Sequence, residues 1–206
     1  MSIIKHAIIS AAGMGTRLGL NLPKCLLQFS GVSIIKHQLE LLKNIEDVRV
    51  VVGFMEEDVI KAVKSIRNDV VFVRNPHYQE TSNTYSISLA TKGVTKPHIL
   101  LDGDLLINKN SFNEFINAFD GKCSLVGITK ATTDDAVYVE LNDKDEVIKF
   151  SRKIKSPHEW SGIACLTDIQ VTEKDPYLYQ ILEKYLPLKA KHIECSEIDT
   201  ADDLKR

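Results

Sequence analysis

The first half of the chain alternates two periods, and that alternation restricts the fold more than any single motif. The runs "IIKHAIIS", "VRVVVGF", "VVFVRN" and "HILLDGDLL" are short, β-branched and apolar at consecutive positions, the pattern of strands buried on both faces. Between them lie helical periods. "SIIKHQLELLKNI" places Ile34, Ile35, Leu39, Leu42 and Ile45 on one face behind an N-cap at Ser33, and "EEDVIKAVKSI" does the same with Val59, Ile60, Val63 and Ile66. "SNTYSISLATKG" opens on a capping residue and closes on Gly93. Strand and helix in alternation predict a parallel sheet covered by helices.

The second half reads differently. After the amphipathic "SFNEFINAFDG" come closely spaced strands in "CSLVGITK", "AVYVELN" and "VIKFSR", with "NDKDE" as a turn. "SGIACLTD" and "HIECSEI" add strands around the helix "DPYLYQILEKYL". No linker or repeat divides the 206 residues. The expectation is one α/β domain over 1–206: a Rossmann-like, open, twisted, mostly parallel sheet with helices on both faces in 1–108, continued by a mixed sheet or lid in 109–206.

Composition narrows the partners. A formal charge of -2 gives no electrostatic reason to expect nucleic acid or an anionic membrane as partner. Cys25, Cys123, Cys165 and Cys195 lack metal-site spacing and read as reduced, mostly buried thiols. His6, His77 and His98 read as turn or surface residues. No signal-peptide pattern and no apolar run of membrane-spanning length is visible, so the reading is cytoplasmic.

In open α/β sheets ligands bind at the carboxyl ends of strands. Three such ends are chemically loaded: "AAGMGTRLGLNLPKC" after the first strand, "RNPHYQETSNTYS" after the third and "DGD" after the fourth. The glycine loop has three readings. It is a plain turn, or a dinucleotide loop, or a cradle for a nucleoside triphosphate. The dinucleotide reading is weak, because Gly13, Gly15 and Gly19 miss the usual spacing and the second strand ends at Gly53 without a ribose-binding acid. In the third reading the backbone N–H groups of Ala11, Ala12, Gly13, Met14, Gly15 and Thr16 form an anion nest. Arg17 adds a planar fork and Lys24, stiffened by Pro23, a mobile point charge.

"AAGMGTRLGLNLPK" resembles the signature of the nucleotidyltransferases that make sugar nucleotides and CDP-activated alcohols. "NPHYQETSNTYSISL", with Asn75, Tyr78, Asn83, Tyr85 and Ser86, is similar to the corresponding segment of bacterial phosphocholine cytidylyltransferases. "LLDGDLLIN" and "CSEIDTADDL" are similar to the family's two metal-bearing aspartate segments. The resemblance implies a GT-A-like fold with a nucleotide-binding half at 1–108 and an acceptor-binding half at 109–206. It also implies transfer of CMP from CTP to a small phosphorylated or phosphonated alcohol, for decoration of a cell-surface polymer.

Under that resemblance Asp104 and Asp199 are the candidate Mg²⁺ ligands, with Asp102 a ligand or a partner of one; each also reads as a helix cap or start. Asp199 stands where the isoprenoid-pathway cytidylyltransferases carry lysine, which argues against a methylerythritol acceptor. Lys24 and Arg17 are the candidate catalytic cations, and Asn83 and Ser86 the base- or ribose-binding pair, both also ordinary capping residues. The acceptor's phosphate, already ionised at neutral pH, needs no general base. Lys149, Arg152 and Lys153 are candidates to hold it, with Tyr138 and Trp160 as an aromatic wall suited to a quaternary ammonium. The rivals are a sugar-1-phosphate nucleotidyltransferase using CTP, UTP or GTP, and a non-catalytic nucleotide-binding module.

Overall fold

The apolar runs become the centre of a nine-stranded sheet. The computed structural model describes residues 3–15, 21–95, 97–132, 135–174 and 176–198. In chain order the strands are β1 (His6–Ser10), β2 (Gln28–Phe29), β3 (Val32–Ser33), β4 (Asp47–Val52), β5 (Val70–Arg74), β6 (His98–Asp102) and β7 (Leu105–Ile107), followed by β8 (Leu125–Lys130), β9 (Tyr138–Leu141), β10 (Glu146–Ser151), β11 (His158–Leu166), β12 (Leu188–His192) and β13 (Cys195–Glu197). The helices are α1 (Ile34–Leu41), α2 (Glu56–Lys64), α3 (Asn83–Thr91), α4 (Lys109–Ala118) and α5 (Leu178–Leu182).

The sheet order is β5-β4-β1-β6-β11-β8-β12-β10-β9. From β5 to β6 every pairing is parallel. Beyond β6 the second half extends the same sheet: β11 joins β6 antiparallel, with Ile163 opposite Leu101. There, among the described residues, only β8 and β12 run parallel. Because β4 lies on one side of β1 and β6 on the other, the strand order reverses at β1, which opens a crevice at the carboxyl ends of β1 and β6.

Side-chain alternation along each strand sends neighbours to opposite faces. Ile9, Val50, Leu101 and Ile163 face α1, α2 and α4, packing on Leu39, Val63 and Phe115. Ile8, Val51, Leu100 and Ala164 face α3 and α5, packing on Ile87, Ala90 and Ile181. Truncating a fully buried residue such as Phe115 in this double core costs about 3–5 kcal/mol.

The caps of α1 and α3 fall where the sequence places them, and α4 gains one at Asn108, ahead of the run read from the sequence. Ser33 accepts from the Lys36 N–H and Ser82 from the Tyr85 N–H. One strand is shorter than its apolar run suggests: "HILLDGDLL" is broken after Asp102. The Gly103 N–H donates to the Ser10 carbonyl at 2.9 Å, and a Cβ on Gly103 would lie 2.5 Å from that oxygen. The chain therefore turns across the end of β1 before β7 pairs with β13. His98 is buried in β6, and His6 lies beside Asp47, so neither is a turn or surface residue.

Candidate active site

The crevice at β1 and β6 is a cleft of about 420 Å³. Its floor is the register pair Ser10 and Asp102, the last residues of the two strands. The glycine loop supplies one wall through Ala11, Ala12, Gly13 and Gly15. Gly15 has φ +58° and lies against Lys24: a Cβ there would sit 2.8 Å from Lys24 Cγ. Glycine thus lets the loop fold over the lysine stem. Pro23 precedes a short 3₁₀ turn, Lys24–Leu26, whose buried Cys25 anchors it, and Lys24 projects from that turn into the cleft.

Lys24 Nζ lies 2.8 Å from Asp104 Oδ2, with both side chains largely withdrawn from solvent. The opposite carboxylate, Asp102, accepts from Asn83 Nδ2 at 2.6 Å. The Asn83 carbonyl in turn accepts from the Ser10 hydroxyl. Since Ser82 caps α3, the Asn83 side chain is available to bridge the two strand ends. Ser86 Oγ accepts from Asn75 Nδ2 at 2.9 Å, placing it on the hydroxyl-rich wall with Thr81 and Ser82. Tyr78 reaches this wall by lying on Gly53, where a Cβ would meet Tyr78 Cβ at 2.8 Å.

The carboxyl of Asp102 is pushed up to about 7, chiefly by its desolvation and then by the charge of Asp104, against the hydrogen bond from Asn83 and the charge of Lys24. Two carboxylates two residues apart thus crowd negative charge at the strand end. Among the described residues no trio of His, Cys, Asp or Glu is grouped for a metal. Mg²⁺ takes one or two carboxylates and fills its remaining positions with phosphate oxygens and water, so Asp102 and Asp104 fit that ion as a donor set.

From beneath, α1 holds this turn. Gln38, fully buried, donates through Nε2 to the carbonyls of Asp102 at 2.8 Å and Leu105 at 3.1 Å. The His37 ring lies 2.7 Å from the Ile107 carbonyl. Glu197, from β13, also lines the cleft.

Of the residues singled out in the sequence, Ala11, Ala12, Gly13, Gly15, Lys24, Asn83, Ser86, Asp102, Asp104 and Arg152 line one cleft. Met14 follows Gly13 in the loop but is not among the lining residues. Thr16, Arg17 and Asp199 lie outside the described residues. The structure does not bring Lys149, Lys153, Tyr138 or Trp160 into the cleft. Lys149 and Lys153 are exposed, Tyr138 is buried in β9, and Trp160 packs edge-on against Phe150 with centroids 6.3 Å apart. Sequence reasoning missed Ser10, Thr81, Ser82, Gln38 and Glu197. Only the hydroxyl cluster in "ETSNTYS" carried a signal.

A model of the MobA-like NTP transferase domain matches residues 7–185, most of the chain. The chain belongs to the MobA-like NTP transferase family. A choline-phosphate cytidylyltransferase of Streptococcus pneumoniae is 35% identical over 113 residues, 52% of this chain and 47% of that protein. The bifunctional protein GlmU of a Sulfurovum species is 30% identical over 185 residues, 88% of this chain and 41% of that protein. The matches thus span about half or less of those relatives' lengths. The fold is shared with the inositol-1-phosphate CTP transferase of T. maritima, at a TM-score of 0.80 and 21% identity, covering 98% of this chain and 91% of that one. For a MobA-like domain the glycine loop, Lys24 and the two aspartates are thus gathered at the strand-order reversal, where an α/β sheet binds its ligand.

Proposed function

We propose that the chain is a CTP-dependent cytidylyltransferase, acting on a small phosphorylated or phosphonated alcohol. The observation that carries this reading is the convergence, in one cleft, of the glycine-loop backbone, the Lys24–Asp104 pair and the Ser10–Asn83–Asp102 bridge. The likeness to a choline-phosphate cytidylyltransferase supports the nucleotide and the acceptor class.

In the proposed reaction an oxygen of the acceptor's phosphate forms a bond to the α-phosphorus of CTP. The bond from that phosphorus to the α,β-bridging oxygen breaks, and pyrophosphate leaves with its electron pair. No proton need be removed, since the attacking oxygen is already ionised. The obstacle is the meeting of two anions, so the chain's contribution is positioning and charge cancellation. Gly13 and Gly15 let backbone N–H groups approach the phosphates, and Lys24 leaves Asp104 to follow charge as it gathers on the α-phosphate. Asp104 and Asp199 would hold Mg²⁺, with Asp102 a ligand or a partner of one, and the ion would supply neutralisation of triphosphate charge. Asn83 keeps Asp102 aimed into the cleft, and Ser86 faces the base.

The test is product identification. Pyrophosphate release is followed with CTP, UTP, GTP and ATP against a panel of phosphomonoesters and phosphonates, with products resolved by mass. A CDP-alcohol formed one-to-one with pyrophosphate is the expected result. Release only with a sugar 1-phosphate would favour the rival reading, a sugar-1-phosphate nucleotidyltransferase. Tight triphosphate binding without release would indicate a non-catalytic module.

A further inference from the structure

Nothing so far holds the acceptor's phosphate, because the glycine loop and Lys24 belong to the wall built by the first half. Among the described lining residues the cations are Lys24 and Arg152. Lys24 is drawn to Asp104. Arg152 arrives from the other half, on the residue that follows β10, and its guanidinium carbon lies 4.6 Å above the centre of the Tyr177 ring and 6.0 Å from that of Tyr179. The two tyrosines stack at 5.7 Å with an interplanar angle of 18°. Tyr179 packs on Phe150 at 6.3 Å, and Phe150, 3% exposed, belongs to the core. A row of rings therefore ties an exposed loop arginine to the buried face of the sheet.

The guanidinium is thus held over a ring. Its one ion-pair partner among the described residues is exposed Asp135, at 3.5 Å. That is long against the roughly 2.7–2.9 Å of a charge-assisted hydrogen bond. A guanidinium presents its in-plane N–H donors as a fork, the geometry that takes two oxygens of one phosphate. Lys149 and Lys153, exposed and outside the cleft, offer neither the position nor the fork.

We infer that Arg152 is the residue that receives the acceptor's phosphate or phosphonate, and that Tyr177 is the positioning residue that aims it. The inference rests on the proposed cytidylyl transfer for the identity of its ligand. It separates the two anions of the reaction between the two halves of the sheet: triphosphate against the glycine loop and Lys24, acceptor against Arg152. The rings near β10 then serve as an anchor for the protein's own cation.

The experiment is steady-state kinetics on the whole chain, varying each substrate in turn with the best acceptor found. Arg152→Lys keeps the charge but removes the fork and should raise KM for the acceptor about tenfold or more, leaving KM for CTP within about twofold. Tyr177→Ala should shift the same constant in the same direction, and Tyr177→Phe, which keeps the ring, should restore it. An unchanged acceptor KM in Arg152→Lys, or an equal rise for CTP, overturns the inference. If the wild-type chain turns over no acceptor, the cytidylyltransferase reading falls by itself, and Arg152 is read by calorimetric titration with phosphocholine. Binding that Arg152→Lys weakens and Tyr177→Phe does not supports the assignment; equal binding, or none by wild type, overturns it.

Discussion

Lys24 Nζ and Asp104 Oδ2 stand 2.8 Å apart, joining the glycine loop to the turn after β6 across 80 residues of sequence. The pair ties Lys24 to the turn that carries both aspartates, and each charge offsets the other. Lys24→Ala should therefore lower kcat by about a hundredfold or more while KM for CTP moves much less, because the lysine's charge matters most as the α-phosphate becomes crowded. A raised KM with unchanged kcat would reduce Lys24 to a binding residue.

Chelation should abolish pyrophosphate release and added Mg²⁺ should restore it. Asp104→Asn keeps the shape of the side chain and removes the charge, so the rate should fall by about a hundredfold or more and the Mg²⁺ concentration for half-activity should rise. Asp199→Asn should behave alike. Near-normal rates in both variants at ordinary Mg²⁺ would exclude these carboxylates as its ligands.

Gln38 fixes the turn that carries both aspartates. Gln38→Leu fills the same space but leaves the Asp102 and Leu105 carbonyls without their donor, and an unpaired buried polar group costs about 1–3 kcal/mol. The urea midpoint should fall accordingly, with a loss of kcat as the turn relaxes. Wild-type stability in this variant would show that the two hydrogen bonds hold nothing.

Asp47 supplies a pH dependence away from the cleft. Desolvation by itself would raise its pKa, but the hydrogen bonds from Arg49 at 3.0 Å and His6 at 2.7 Å outweigh it and hold the carboxyl below its ordinary value. A depressed folded-state pKa means stability that is present above the unfolded value, near 4, and lost as pH falls through the folded one. Asp47→Asn should destabilise by about 1 kcal/mol at pH 7, and the difference should be smaller at pH 3, below the unfolded pKa. Denaturant unfolding at the two pH values reads this; a difference that persists unchanged at pH 3 would mean the charge is not the cause.

How much of this was legible in the sequence depends on whether the signal was local. Buried parallel strands announce themselves by apolar runs, and Ser33 and Ser82 announce their helices, because capping is decided within four residues. The glycine loop, Lys24 and Asp104 were legible as residue types suited to a phosphate ligand, and the structure brings them into one cleft. Contacts made across the fold were not. The break after Asp102 follows from the approach of Gly103 to Ser10, and Gln38 looks like any polar residue on an amphipathic helix. Among Lys149, Arg152 and Lys153 the composition is the same on paper. Arg152 lines the cleft beside the rings of Tyr177, the residue before α5, and Tyr179, which lie far along the chain.

The choice of base is the sharpest point at which the proposed activity can fail. Cytosine offers an amino donor where uracil has a second carbonyl, so an acceptor facing that position meets another acceptor when UTP is offered. A desolvated polar group left unpaired costs about 1–3 kcal/mol, or roughly tenfold to a hundredfold in rate. With one good acceptor held saturating, kcat/KM should therefore be about ten to a hundred times higher for CTP than for UTP, with GTP and ATP excluded by size, and Ser86→Ala should narrow the CTP preference. A wild-type chain that uses UTP or GTP better than CTP would contradict the cytidylyltransferase reading outright.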